Sequence, residues 1–167
     1  EDGNMCKNCA KKLSPWFSDR RNSTVAEIQD QLNYREANRQ SVAAFHTTRT
    51  LGNNTKVLLD EDNRKFMVVR TSNIANENPD VIDYASVTGC QLDIDEMKTE
   101  IKRKDAQGNE VSFNPKRYSY EYNFYVQIFV NSPYFDEIRF RLNNSNVDGK
   151  SRGEYDTYKS MGDSIVA

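Results

Sequence analysis

Alternation of apolar and polar residues is strongest at 118–130, YSYEYNFYVQIFV. Its even positions share one side of an extended chain: Tyr118, Tyr120, Tyr122, Phe124, Val126, Ile128 and Val130. A period of two predicts a β-strand with one buried and one wetter face, and we expect the even-numbered Tyr120, Tyr122, Phe124, Val126 and Ile128 to be largely buried. At about 3.3 Å per residue the run would span roughly 43 Å, so we expect the strand to bend.

Shorter runs predict further strands on both sides of this one. The segments TKVLLD and RKFMVVRT flank the turn composition DEDN and predict a hairpin. VIDYASVTGCQLDID places Cys90, Leu92 and Ile94 on one side, and DEIRFRLN does the same for Ile138, Phe140 and Leu142. The charged stretch at 96–110, EMKTEIKRKDAQGNE, is predicted to interrupt the strands as a solvated loop.

Helical spacing predicts helices at 23–48 and a closing helix near 152–166. The first region opens with Thr24 and Glu27, the spacing of a capping box, but its apolar stripe is thin. Short turns between strands favour antiparallel pairing. We therefore predict an α+β fold: N-terminal helices, then one strongly curved antiparallel sheet or split barrel, capped by the C-terminal helix.

Composition narrows the classes of function. The chain has 167 residues, 37% of them hydrophobic, which suffices for one core of ordinary size. A net charge of −2 lacks the basic excess of a general nucleic-acid binder. Neither an apolar run of about 20 residues nor a signal-peptide pattern occurs, and three cysteines do not suggest a disulfide framework. We expect a cytoplasmic protein.

Cys6 and Cys9 lie in GNMCKNCAKKL, with the spacing of one zinc knuckle. A structural zinc site needs four ligands, and His46 matches no finger spacing. A redox CxxC would normally precede a helix in a βαβ context, which the pattern lacks. We expect zinc in an intact protein that extends upstream, and zinc that is absent, or shared between two chains, in this one. Residues 1–20 should then be loosely held or ordered by a neighbouring copy.

Cys90 and a cluster of basic residues each allow a structural and a functional interpretation. Cys90 is predicted to be a small hydrophobe of a strand, since a nucleophilic cysteine needs a nearby base and the chain has one histidine. A basic cluster could bind phosphate: Lys98, Lys102, Arg103, Lys104, Lys116 and Arg117. Interleaved acidic residues favour a solvated loop instead.

Several segments carry a resemblance to known families. EDGNMCKNCAKKLSP, STVAEIQDQLNYREAN, ENPDVIDYASVTGCQLDIDE and YEYNFYVQI…DEIRFRLN are similar to an uncharacterised bacterial family with an N-terminal CxxC…CxxC zinc ribbon, a helical linker and a β-rich domain. The strands and closing helix resemble the pleckstrin-homology-like superfold. The resemblance implies a partial ribbon at 1–22, a helical linker at 23–50 and a barrel-like domain at 51–167, with the first CxxC upstream of residue 1.

These observations predict a non-enzymatic binding or scaffold module with a protein partner, and they leave self-association open. A membrane- or nucleic-acid-recognition module using the basic segment 98–117 is the alternative. The first hairpin, which carries basic residues in phosphoinositide-binding members of the pleckstrin-type fold, is mostly acidic here, LDEDNRK. That argues against lipid headgroups, as the net charge argues against nucleic acid.

Overall fold

The computed structural model describes residues 5–167 and confirms the α+β class. Residues 1–4, part of the predicted ribbon, lie outside the described residues. The helices are α1 (Lys7–Lys12), α2 (Val25–Ala44), α3 (Ile74–Glu77) and α4 (Arg152–Val166). The strands are β1 (Arg49–Gly52), β2 (Lys56–Asp60), β3 (Lys65–Val69), β4 (Ile82–Asp83), β5 (Val87–Lys104), β6 (Glu110–Val130), β7 (Glu137–Arg141) and β8 (Val147–Asp148).

The strands form two antiparallel sheets, so the prediction of one continuous sheet is wrong. The first sheet has the order β1-β2-β3-β4, and the second has the order β5-β6-β7, with β8 also paired to β6. A 3-10 turn at Tyr84–Ser86 leads the chain from the first sheet into the second. Within residues 5–167 no strand pair joins the sheets into a closed barrel. The β2–β3 hairpin is confirmed, with Asp60 opposite Lys65.

The N-terminal helical region is a single helix that is shorter than predicted. It begins after Thr24, whose side chain accepts from the Glu27 N–H while the Glu27 carboxylate accepts from the Thr24 N–H, which confirms the capping box. The helix ends at Ala44 and the chain then forms β1, a strand that the helical pattern concealed. Leu51 is the only large apolar residue of β1, so no alternation marked it.

Burial confirms that the even-numbered face of the run at 118–130 points to the core from Phe124 onward. Phe124, Val126 and Ile128 are buried. Their partners on β7 and just beyond it, Ile138, Phe140 and Leu142, are buried as well. The predicted burial of Tyr120 and Tyr122 is too strong, because both are half-buried. Tyr122 is only partly covered by α4, where its ring meets the ring of Tyr155 edge-on at a centroid distance of 4.9 Å.

The closing helix lies where the sequence predicted it, and it covers the second sheet. Phe124 contacts the rings of Tyr155 and Tyr158 at centroid distances of 5.1 and 5.9 Å. Gly162 is buried against Leu92 of β5, where a Cβ would lie 2.4 Å from the Leu92 Cδ1 atom. The helix can approach β5 this closely because residue 162 has no side chain.

The charged stretch at 96–110 is not a loop, which corrects the prediction. Residues up to Lys104 continue β5, a turn follows at 105–109, and β6 begins at Glu110. The strands pair from Val87 opposite Val130 to Lys104 opposite Glu110. Both faces of the outer half meet solvent, so nothing required the apolar alternation by which buried strands are recognised.

The segment after α1 is anchored by the chain itself, so the expectation of a loosely held N-terminus is wrong for residues 13–17. Leu13 and Phe17 are buried, and Ser14 is fully buried. The Ser14 hydroxyl donates to Asp80 Oδ2 at 2.7 Å, and the Ser14 N–H donates to Gln31 Oε1 at 3.1 Å. These bonds fix the segment to α2 and to the chain before β4.

Candidate functional site

The two N-terminal cysteines lie at the start of α1 in unequal environments. Cys6 is the N-cap residue, and its Sγ accepts a hydrogen bond from the Cys9 N–H at 3.3 Å. That amide, followed by the Cys9 thiol, lowers the pKa of the Cys6 thiol. The pKa of Cys9 is raised, chiefly because its thiol donates to Cys6. Of the two thiols, Cys6 therefore loses its proton more readily, because a backbone N–H donates to its sulfur.

Cys6 and Cys9 are two of the four donors that a structural zinc site would need. In the 5–167 part of the chain, three His, Cys, Asp or Glu side chains nowhere come together in a group that could hold a metal ion. Cys90 lies on β5, and His46 has Asp62 as its acidic neighbour, at 3.6 Å. Because structural zinc takes four ligands, Cys6 and Cys9 fit the metal only if further donors come from outside these residues.

Cys90 has the surroundings of a packed apolar residue. It is half-buried, and burial raises the pKa of its thiol. It lines a cleft of about 390 Å³ whose walls include Tyr84, Val87, Ile128 and Ile165. A protonated thiol among apolar side chains is a poor nucleophile, in keeping with the sequence-based interpretation of Cys90 as a small hydrophobe.

The structure brings all six residues of the basic cluster onto the outer part of the β5–β6 hairpin. We call residues 97–119 the distal arm: its strands pair only with each other, since β8 reaches no further along β6 than Glu121. Six basic side chains of the arm are exposed: Lys98, Lys102, Arg103, Lys104, Lys116 and Arg117. Three acidic side chains accompany them, so the arm is net positive within a net negative chain.

Half of these cations already have partners inside the arm. The Lys98 Nζ lies 4.1 Å from the ring centroid of Tyr118, and the Arg117 guanidinium lies 4.5 Å from that of Phe113. Lys116 is 3.4 Å from a carboxylate oxygen of Glu100. The pKa of Glu100 is lowered, first by the hydroxyl of Ser112 and then by Lys116. Among the described residues, Lys102, Arg103 and Lys104 have no carboxylate within 4.0 Å.

Apolar exposure is concentrated in the same place. Four large hydrophobic side chains of the described residues are exposed, and three lie on the distal arm: Met97, Ile101 and Tyr118, at 36, 37 and 39%. Val25 on α2 is the fourth. Met97 and Ile101 point to the same face because they are four residues apart on one strand. Exposed apolar side chains surrounded by charged ones are typical of an interaction surface.

A buried polar network between α2 and the chain before β4 was not predicted from the sequence. Arg35 Nη1 lies 2.8 Å from Asp80 Oδ1, and Arg35 Nε donates to the Lys12 carbonyl oxygen at 3.0 Å. Asn38 Nδ2 donates to Asn78 Oδ1 at 2.8 Å. The buried residues of α2 are Gln31, Arg35 and Asn38, at helical spacing. In the sequence this polar stripe lies beside a thin apolar one, and it could have indicated that α2 packs through polar contacts.

Comparison with known proteins identifies only the N-terminal part. Residues 1–31 match a family model described as "Domain of unknown function (DUF4428)". The match includes Cys6, Cys9 and α1, and it ends inside α2. Neither the curated proteins nor the solved structures give a significant match. Among residues 5–167, no helix has the length and apolar character needed to cross a membrane. The N-terminal 31 residues are therefore similar to a family with no stated activity.

Proposed function

We propose that the protein is a non-enzymatic binding module whose distal arm contacts a protein partner. One observation carries the proposal: of the four large apolar side chains exposed within residues 5–167, three lie on the arm, among charged residues. A two-stranded arm of roughly 25 Å per strand offers apolar contact and exposed backbone to another protein. The arm continues from the folded body as the outer part of the β5–β6 ladder.

A protein is a better partner for this surface than a phosphate backbone. Phosphate binders depend on cations that are free to meet the anion. In the arm, Lys98 and Arg117 lie against aromatic rings and Lys116 lies beside Glu100. The alternative is membrane or nucleic-acid recognition, and the run Lys102 to Lys104 at the end of β5 is the feature that favours it.

We also propose that the N-terminal segment is part of a structural zinc ribbon. The CxxC spacing and the N–H···S bond to Cys6 support this assignment. Zinc bound there would draw its other donors from outside residues 5–167, or from a second copy of the chain. For the β-rich part we retain the pleckstrin-homology-like comparison, and for the whole protein a bacterial, cytoplasmic setting, both as proposals.

Photo-crosslinking tests the arm directly. A photoreactive amino acid replaces Met97 in one variant and the more exposed Val25 of α2 in a control variant. We expect protein adducts from position 97 in the native cell extract, and none of comparable yield from position 25. Duplex DNA, single-stranded RNA and anionic vesicles are tested separately at low and high salt. Steeply salt-dependent binding to one of these, without protein adducts, would overturn the proposal in favour of the alternative.

A further inference from the structure

β5 lies at one edge of the second sheet, and its outer side has no neighbouring strand among the described residues. The strand runs unbroken through residues 95–103, since the unpaired residues of the ladder at Ile101/Lys102 belong to β6. Except for the half-buried Glu100, the residues of this stretch are exposed. An exposed edge of this length presents backbone N–H and C=O groups that a further strand can pair with.

The sequence of this edge is complementary to itself in the antiparallel direction. If two copies meet with Thr99 opposite Thr99, each following pair joins opposite charges or two apolar residues. The pairs are Lys98 with Glu100, Met97 with Ile101, Glu96 with Lys102 and Asp95 with Arg103. Because the arrangement is symmetric, each of these four pairs occurs twice. Opposite charges and apolar residues that face each other across an antiparallel pair both stabilise it.

Neighbouring registers lose this match, so the complementarity selects one alignment. With Lys98 at the centre, Lys98 faces itself and Glu96 faces Glu100. With Glu100 at the centre, Glu100 faces itself and Lys98 faces Lys102. Like charges directly opposite each other destabilise a strand pair. The preferred centre is therefore Thr99, and a two-fold axis perpendicular to the sheet generates the second copy from the first.

We propose that two copies of this chain associate through the outer edge of β5, centred on Thr99. This inference rests on the proposed role of the distal arm and names its partner as a second copy. The two second sheets then become one sheet in the order β7-β6-β5-β5-β6-β7. On one face the exposed side chains of Met97 and Ile101 from the two copies form two apolar pairs, one on each side of the central Thr99 pair. On the other face Glu96 and Lys102 pair across the new junction.

The two glutamates of these pairs can keep their existing hydrogen bonds. The Glu96 carboxylate accepts from the Tyr122 hydroxyl at 2.9 Å, and Glu100 accepts from Ser112 and Lys116. A carboxylate has about four acceptor positions, so each retains capacity for a lysine of the second copy. Lys102 has no carboxylate partner within the described chain and gains one in the pair.

Charge reversal and its compensation test the inference by sedimentation equilibrium. Glu96→Lys alone, or Lys102→Glu alone, places like charges opposite each other twice, and each should weaken dimerisation by about tenfold or more. The double variant Glu96→Lys/Lys102→Glu restores opposite charges and should return the dissociation constant to near that of the unchanged protein. Arg117→Glu is the matched control, because it reverses one arm charge on β6, away from the edge.

The outcomes separate this inference from the proposed function. A monomer at all attainable concentrations overturns the inference, as does a double variant that stays as weak as the single variants. Equal weakening by Arg117→Glu overturns it too, because the effect would then follow net charge rather than the pairing. If the protein is monomeric while position 97 crosslinks to a different protein, the inference fails and the proposed function stands. If position 97 gives no protein adduct, the proposed function itself fails.

Discussion

Arg35 and Asp80 form an ion pair at 2.8 Å with side chains 7 and 0% exposed. The pair joins α2 to the chain before β4, 45 residues away. Asp80 also accepts from the Ser14 hydroxyl, and Arg35 also donates to the Lys12 carbonyl. This single pair therefore connects three separate parts of the chain.

Asp80→Ala should lower the free energy of unfolding by about 3–5 kcal/mol, because it leaves the Arg35 charge buried without a partner. Urea titration followed by circular dichroism measures the change. Glu36→Ala is the matched control on the same helix: Glu36 pairs with Arg39 at the surface, at 3.3 Å, and its removal should cost no more than about 1 kcal/mol. Equal losses of stability in the two variants would show that burial does not strengthen the contribution of the Arg35–Asp80 pair.

Gly162→Ala should destabilise the protein by about 1–3 kcal/mol through the clash with Leu92, although alanine favours helices by about 1 kcal/mol. In a Leu92→Ala background the same substitution should be neutral or stabilising. Gly153→Ala, on the same helix with nothing within 4 Å of its Cβ, should stabilise. Thermal melts of the four combinations and the control measure the coupling. Simple additivity of the two changes would show that α4 does not approach β5 as described.

Asp60 should make stability depend on pH in the acid range. The backbone N–H of His46, followed by the side chain of Asn63, lowers the pKa of this buried carboxyl. A carboxyl with a lowered folded-state pKa stabilises the fold above its unfolded pKa, about 4, and loses that contribution as pH falls through the folded value.

The stability gap between the unchanged protein and Asp60→Asn should be full at neutral pH and should narrow as pH drops below about 4. Denaturant titrations at several pH values measure the gap. Asp62→Asn is the control, since that side chain is 74% exposed and should show little gap at any pH. A gap for Asp60→Asn that does not change with pH would mean that its carboxylate charge does not stabilise the fold.

Phe140→Ala should cost about 3–5 kcal/mol, because Phe140 is 1% exposed on β7, opposite the buried Val126 of β6. The exposed Val25→Ala serves as the control and should change stability by less than about 0.5 kcal/mol. Chemical denaturation with an unchanged m-value measures both. A loss below about 1 kcal/mol for Phe140→Ala would place this ring outside the core.

Chelator should leave the thermal midpoint of the two sheets unchanged, and so should Cys6→Ser. The described residues offer two thiols to a metal, and neither sheet packs through them. A melt of the present chain with and without EDTA, followed by the near-ultraviolet signal of its tyrosines, makes the measurement. Unfolding of the sheets by chelator would show that a metal is integral to the core.

Burial explains which parts of the fold were predictable. The alternation at Phe124 to Ile128 and the helical face of α4 exist because one side of each element faces the core, so the sequence carries their period. The capping box at Thr24 is local and equally visible. The strands of the distal arm are exposed on both faces, so their residues need not alternate between apolar and polar.

The candidate sites follow the same division. The spacing of Cys6 and Cys9 was visible because a CxxC pattern is local in the sequence, and the basic residues of the arm were visible as composition. The pairing of Arg35 with Asp80 was not, since it joins residues far apart in the chain and depends on how α2 docks. The exposure of Met97 and Ile101 could not be read either, because apolar residues in a charged segment do not reveal whether anything covers them.

The hydrogen bond from Arg35 to the Lys12 carbonyl has a consequence for Cys6 and Cys9. α1 is six residues long, about 9 Å, and its last residue is held by a buried side chain. The two thiols therefore lie at the start of a short helix whose last residue is fixed to α2. The conformational entropy of this segment is lost when the chain folds. If the proposed zinc binds, the donors that complete its coordination would therefore meet a preorganised pair of thiols, and their binding energy would not be spent on ordering that pair.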